Sequence, residues 1–322
     1  MADTKSINSL MKKMRTETNI AISGSRQKKE LLNMGYFHGY KGYRFVRTKK
    51  DGIPFNNFDQ IIAISQFDNN LKELFYKPIM FLETSWKSHC IETCIKLASE
   101  DFSKIYDIVL NDYKELNPSH KNYNERVRRR LKVRESVFTT ISYKYKSSTI
   151  LQHYQYNDRS IPIWAIFEII TLGLFGEFVR SMNKTARRDL MTNLHLFYGE
   201  FDGDCRLLEH TVFFISDLRN AIAHNSIIFD GRFNNSSPSP NIKKMLTHEV
   251  GVSFTTFASI IDYLAFIVIF LKKAGISKNE RRKMVRTFQF ECEKLRKSVP
   301  TEVYDKILGS DSLSKLSVLL NY

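Results

Sequence analysis

The sequence predicts an all-α fold, a helical bundle with no substantial β-sheet, and three observations carry that prediction. Apolar residues recur at steps of three and four along several long stretches, the spacing of one buried helix face. No stretch shows the sustained alternation of a half-buried strand. Gly (13) and Pro (7) are sparse in 322 residues, too few for a chain of short strands and tight turns. With 43% apolar and 26% charged residues the chain has the composition of a globular protein, and it is long enough to bury a sizeable core.

Residues 1–25 read as a flexible or partly helical arm, and residues 26–322 as a single all-α domain. A short helix is expected over 27–34, closed by Gly35. The cluster Gly35-Tyr36-Phe37-His38-Gly39-Tyr40-Lys41-Gly42-Tyr43-Arg44-Phe45 follows, with glycines that permit turns and aromatics that need a surface to pack on. The first long element spans about 58–99, where Ile64, Phe67, Leu71, Leu74, Pro78, Phe81, Leu82, Trp86, Cys90 and Cys94 recur at steps of three and four as one stripe. Pro78 lies inside it and predicts a kink or break just before that residue.

A second helical stretch covers 102–116, ended by Asn117-Pro118. Residues 162–182 form a strongly apolar helix with Pro162 near its first turn, as helix starts prefer. Another helix spans 205–226. Residues 230–244, centred on Asn-Asn-Ser-Ser-Pro-Ser-Pro, are the clearest loop. The stretch 252–273, apolar from Phe254, carries Asp262 at mid-length, which suits a buried central helix and not a membrane span. Basic helices over 276–322 complete the chain.

Charge is the unusual quantity. Lys and Arg number 49 against 34 Asp and Glu, a net +15 with a pI near 9.5. Such an excess favours a polyanionic partner, most simply nucleic acid. Candidate RNA contacts are Arg126, Arg128, Arg129, Arg130, Lys132 and Arg134 in one run, and Arg281, Arg282, Lys283 and Arg286 in another; solvated helix faces are the plain alternative. Tyr36, Tyr40 and Tyr43 could stack bases, although packing against the first long helix explains them better. Four Cys and a polar, mildly basic stretch from Met1 to Lys13 argue against a disulfide-built secreted scaffold, so a cytoplasmic setting is expected. His89, Cys90 and Cys94 fall short of the four ligands of a structural zinc site; buried cysteines are expected, with no metal or cofactor.

One string invites a chemical reading: Arg219-Asn220-Ala221-Ile222-Ala223-His224, at the end of a helix built on Leu207, Leu208, Val212, Phe213, Ile215 and Leu218. An imidazole moves protons near neutral pH, its unperturbed pKa being about 6.5, and a guanidinium offers a fork of donors to phosphate oxygens. On an ideal helix the two side chains stand about 140° apart around the axis and roughly 7.5 Å along it. They converge only if the helix ends before His224, or if a two-fold axis brings two copies together. A capped helix end with a surface ion pair is the alternative.

This R-N-x3-H string resembles the HEPN ribonuclease motif, in which a polar residue follows the Arg. The wider sequence resembles the Abi-like (AbiD/AbiF-type) abortive-infection branch of HEPN proteins. Three more segments stand in that family's order: the Gly35–Phe45 cluster; Phe67-Asp68-Asn69-Asn70-Leu71 leading to Glu83-Thr84-Ser85-Trp86-Lys87; and Pro162-Ile163-Trp164-Ala165-Ile166-Phe167-Glu168. Lys87 stands where the family pattern has Arg. The likeness covers roughly residues 27–230.

The resemblance implies a metal-independent endoribonuclease that cuts single-stranded RNA by 2′-hydroxyl attack and leaves a 2′,3′-cyclic phosphate, acting as a toxin in phage defence. Arg219, Asn220 and His224 would be catalytic, with the acid or base role of His224 unassigned; Glu83, Lys87 and Glu168 would support them. A homodimer through the Arg-to-His helices is implied, as is restraint by a structured non-coding RNA. The rival readings are a non-catalytic RNA-binding protein of the same fold and a toxin held by a protein antitoxin.

Overall fold

A computed structural model describes residues 6–234, 238–251, 257 and 259–322. Among the described residues there are fifteen α-helices and no strand, only isolated bridges such as Phe45 with Gly52. The first helix, α1 (Ile7–Glu17), is capped by the Ser6 hydroxyl and buries Met11 and Met14. Ile20 and Ile22 bury behind it, and Arg15 Nη1 donates to Ile22 O at 2.8 Å. The amino-terminal segment is therefore docked rather than loose, because a few apolar residues inside a polar string suffice to seat it. Next, α2 (Gly24–Met34) ends at Gly35, whose φ of 79° favours glycine. Gly35–Tyr40 forms a single π-helical turn.

The long helix α3 (Phe58–Leu97) starts on the Asn57 side chain, which accepts from the Asp59 N–H. It runs through Pro78 without the expected break. Phe75, Ile79 and Leu82 are buried on both sides of the proline, so packing outweighs the lost hydrogen bond. The stretch expected as one helix over 102–116 is shorter: α4 (Phe102–Ile108), then a 3₁₀ turn at Asp112–Glu115. Asn111 Nδ2 takes the carbonyls of Asp107 and Ile108 and so ends α4 early. The basic run forms α5 (Tyr123–Lys144), followed by α6 (Thr149–Tyr156).

Residues 162–182 also split, into α7 (Ile163–Ile169) and α8 (Leu172–Ser181). Thr171 caps α8 by accepting from the Leu174 N–H, and Lys87 Nζ donates to Ile170 O at 3.0 Å. A side-chain cap on each side of the joint makes the break cheaper than one continuous helix. Helices α9 (Lys184–Asn193) and α10 (Leu207–Ala223) follow. The expected loop over 230–244 closes earlier, because Ser239 caps and Pro240 opens α11 (Pro240–Val250).

The central helix is α12 (Ile260–Lys273), with every residue from Ile260 to Leu271 buried. Its expected start at Phe254 lies outside the described residues. Asp262 is tolerated there because Lys315 Nζ meets it at 2.9 Å and the Phe257 N–H donates to it at 2.8 Å. Around α12, Trp86 packs edge-on to Phe270 and Phe214 stacks on Tyr263. Finally α13 (Lys278–Ser298), α14 (Thr301–Leu308) and α15 (Ser312–Asn321) wrap the core, with α13 packed along α3. No helix among the described residues is long and apolar enough to cross a membrane.

Glu249 at the end of α11 ties distant parts together. Its carboxylate accepts from Tyr198 at 2.5 Å, from Tyr322 at 2.5 Å and from Lys273 at 2.6 Å. Burial disfavours its charge, but the bonds from Lys273, Tyr198 and Tyr322 outweigh burial and hold the carboxyl down at about 2. The stabilisation is full above the ordinary carboxyl value of 4.5 and is lost as pH falls toward about 2. In denaturant titrations across that window, Glu249→Gln is expected to lose less stability on acidification than the wild-type protein; equal losses would contradict the assignment.

Candidate functional site

The site is built at the carboxyl end of α10. That helix starts on Asp202, whose carboxylate accepts from the N–H groups of Arg206 and Leu207. Its apolar face, with Leu207, Leu208, Val212, Ile215 and Leu218, is buried. Gly176 lets α8 approach closely, since a Cβ there would stand 2.9 Å from a Phe213 ring carbon. The helix ends at Ala223, and His224 is its C-cap residue. The His224 N–H still bonds to Asn220 O at 2.9 Å, and His224 is the last residue of the turn.

A Schellman closure follows. The Asn225 N–H bonds to Ile222 O at 3.1 Å and the Ser226 N–H to Ala221 O at 2.7 Å, with Asn225 in the left-handed region at φ 53°. Lys72 Nζ donates to Asn225 Oδ1 at 2.8 Å and pairs with Asp68 at 2.8 Å. Asp68 is fully buried. One of its oxygens accepts from the N–H groups of Ile228 and Phe229, both at 2.8 Å, and the other from the Tyr43 hydroxyl at 3.0 Å. Burial, reinforced by the Asp68 charge, pushes the Tyr43 phenol well above its ordinary value, so it stays a donor.

Arg232 makes the next tie. Its guanidinium pairs with Asp230 at 2.7 Å and donates to Gly42 O at 2.7 Å and Phe45 O at 2.5 Å. Asp230 also accepts from the Arg47 N–H at 2.5 Å. The Gly35–Phe45 cluster and the chain after His224 are thus bolted together. Between them opens a pocket of about 430 Å³, lined by His38, Asp217, Asn220, His224 and Arg232. Asp217 lies two turns before His224 on the same stripe, and burial raises its carboxyl pKa.

Arg219, next in sequence to the pocket-lining Asn220, is not itself among the residues that line the pocket. Its Nη1 donates to Asn220 Oδ1 at 3.3 Å, and its Nε faces Glu83 Oε2 at 3.7 Å. Glu83 is buried, and its other oxygen accepts from Lys87 at 2.9 Å. Glu83 therefore sits between two cations, while Lys87 also caps α7, a task for a single ammonium. Among the described residues Oε2 has no hydrogen-bond partner and faces the charge of Arg219. Glu168 does not join: it is exposed on α7 and makes no hydrogen bond or ion pair among the described residues.

The basic runs divide. Arg126 and Arg129 pair with buried Asp112 at 3.5 and 3.6 Å, and Arg130 bonds to Tyr106 O and Asp107. Burial raises the Asp112 carboxyl, opposed by Arg126, Arg129, Arg206 and Arg187. Arg281 is buried against the carbonyls of Ile276 and Tyr322, and Arg282 donates to Leu320 O. These five side chains brace the fold, because helix ends and a buried carboxylate take their donors. Arg128, Lys132, Arg134, Lys283 and Arg286 are exposed. Tyr40 and Tyr43 are buried, so neither is placed to stack a base. The cysteines are all buried and unbridged.

Residues 29–230 match the family described as Abi-like protein. The chain belongs to the Abi-like protein family. That family's name associates it, at a coarse level, with abortive infection, a phage-defence response. Comparison with curated proteins and with solved structures finds no match. The matched span contains the pocket residues from His38 to Ile227 and the Asp68 nexus, while Arg232 and Phe233 of the lining lie just beyond it. Reading the sequence missed His38, Asp217 and Arg232 as pocket residues. Asp217 was within reach, since a spacing of seven puts it on the His224 stripe; the other two depend on contacts across more than 180 residues.

Replacing Asp68 by Ala strands Lys72 and two backbone N–H groups inside the core. The expected loss is about 3–5 kcal/mol, read as a lowered denaturant midpoint. A loss within the range of a surface substitution would show that the nexus does not hold the site.

Proposed function

We propose that this Abi-like protein is a HEPN-type endoribonuclease that cuts RNA by attack of the substrate's own 2′-hydroxyl. The observation that carries the reading is the exposed imidazole of His224, facing an open pocket whose Asn220 is bonded to Arg219. Cleavage of this kind needs a proton removed from the 2′-hydroxyl, a proton delivered to the departing 5′ oxygen, and relief of the charge building on phosphorus. His224 serves proton transfer. Arg219 serves the phosphate, with a planar fork matched to its oxygens. Asn220 orients that guanidinium, and Glu83, flanked by Lys87, holds its far side.

Because Arg219 is not among the residues lining the pocket that holds His224, the proposed active form is a homodimer in which two helix ends share one scissile phosphate. Net charge supports RNA as the ligand, with Arg128, Lys132, Arg134, Lys283 and Arg286 the exposed cations of the two basic runs. A toxin of this class needs restraint, and a structured non-coding RNA on these basic surfaces is the proposed one. Its binding should weaken with rising salt as counterions are released; a salt-independent mobility shift would argue against this docking.

Purified protein incubated with total RNA in EDTA is expected to produce fragments ending in 2′,3′-cyclic phosphate. His224→Ala and Arg219→Ala should each lower the rate by about 10²–10⁴ while RNA binding persists. Undiminished cleavage by His224→Ala would remove the catalytic claim. Retained RNA binding by a wild-type protein that never cleaves would favour a non-catalytic binder.

A further inference from the structure

We infer that His38 is the second imidazole of the active site, the proton-transfer partner of His224; the inference rests on the ribonuclease reading above. In-line cleavage of RNA moves two protons at two oxygens. One group takes the proton of the 2′-hydroxyl as its oxygen closes on phosphorus to form the cyclic phosphate. Another gives its proton to the 5′ oxygen as the P–O5′ bond breaks and the 5′-hydroxyl leaves. The proton gained by the first group and lost by the second is exchanged back through solvent. Two imidazoles in opposite protonation states perform both transfers near neutral pH.

His38 is exposed on the wall of the pocket that His224 lines, so both residues border the same space from different segments of the chain. The backbone that carries it is costly to form. Gly35–Tyr40 is a π-helical turn, a rare conformation that recurs at functional sites. Gly39 is obligatory within it, since a Cβ would stand 1.9 Å from Met34 Cγ and 2.6 Å from Met34 O.

The turn is then locked on its carboxyl side. Tyr40 is buried with its hydroxyl 3.1 Å from that of Thr18, and Tyr43 donates to Asp68. Asp68 also holds Ile228 and Phe229, four and five residues beyond His224. Gly42 brings the two segments into contact, because a Cβ there would stand 2.4 Å from Ile227 Cδ1. Arg232 clamps the same seam from the other side through Gly42 O and Phe45 O. None of this buried machinery is needed to seat an exposed histidine of no consequence. It fixes the position of the His38 turn relative to the α10 terminus.

The other ionisable groups on the pocket wall are Asp217 of α10 and Arg232 of the following segment. Arg232 already spends its donors on Asp230 and the two carbonyls, and Asp217 lacks a cationic partner in the hydrogen-bond and ion-pair network of the described residues. Arg232 is thereby committed, and Asp217 is the competing proton acceptor on this wall, which the His38 variants set apart from the imidazole.

The test uses full-length protein and two substrates: an ordinary single-stranded RNA, and one with sulfur in place of the bridging 5′ oxygen, whose thiolate leaves without a proton. His38→Ala and His38→Asn are expected to melt as the wild type and to bind a fully 2′-O-methylated RNA with wild-type affinity. Both should cut ordinary RNA about 10²–10⁴-fold more slowly and lose one limb of the pH–rate profile. The sulfur substrate should restore one of His38→Ala and His224→Ala and not the other, which assigns acid and base. Cleavage by His38→Ala near the wild-type rate, with His224→Ala inactive, overturns this inference and leaves the nuclease reading standing. Rescue of both variants or of neither also overturns it. A wild-type protein that cuts no RNA removes the nuclease reading itself.

Discussion

The N–H groups of Ile228 and Phe229 and the hydroxyl of Tyr43 all point at the carboxylate of Asp68, whose charge is met by Lys72 one helical turn further along α3. An ionised carboxylate taken out of water persists only when its lone pairs and charge are fully answered. Here the answer comes from three separate stretches of chain, so the pairing fixes their mutual positions. The stretch after α10 cannot wander, Asn225 is held by the same Lys72, and the Gly35–Phe45 cluster is drawn onto the same point. The exposed end of α10, a region that would ordinarily fray, is thereby made rigid beneath its functional side chains.

A second buried carboxylate does related work on the other side of α10. Glu83 stands between Lys87 and Arg219, and Lys87 passes the tie on to the carbonyl that ends α7. The long helix α3 therefore presents Asp68 to one side of the α10 terminus and Glu83 to the neighbourhood of Arg219. A helix that runs past Pro78 without interruption gives both carboxylates a common base. For the proposed chemistry this matters, because small displacements of groups that would handle a phosphate carry large consequences for rate.

Much of this was legible in the sequence and some of it was not. The stripe from Ile64 to Cys94 announces α3, and the apolar run ending at Arg219 announces α10, because one-sided burial imposes a helical period. Joints between helices were less readable. The split between Ile169 and Leu172 depends on a lysine far away in sequence that caps the freed carbonyl, and the early end of α4 depends on one asparagine folding back. Charge runs were read as surface although Arg126, Arg129 and Arg281 are braces, since composition does not tell which cation has a buried carboxylate or helix end within reach. His38 falls in a segment whose sequence signal is its tyrosines and glycines; the π-helical turn and the seam at Gly42 bring it to the pocket.

The central claim is that the pocket at the end of α10 receives the RNA backbone, and imidazole nuclear magnetic resonance reads it directly. The protein is titrated with a fully 2′-O-methylated RNA, which lacks the nucleophile and stays intact. The account predicts that the ring signals of His224 and His38 shift together and saturate with the binding curve, while those of His120 and His153, remote in sequence and outside the pocket lining, stay in place. Saturable RNA binding that leaves both pocket histidines unmoved would contradict it.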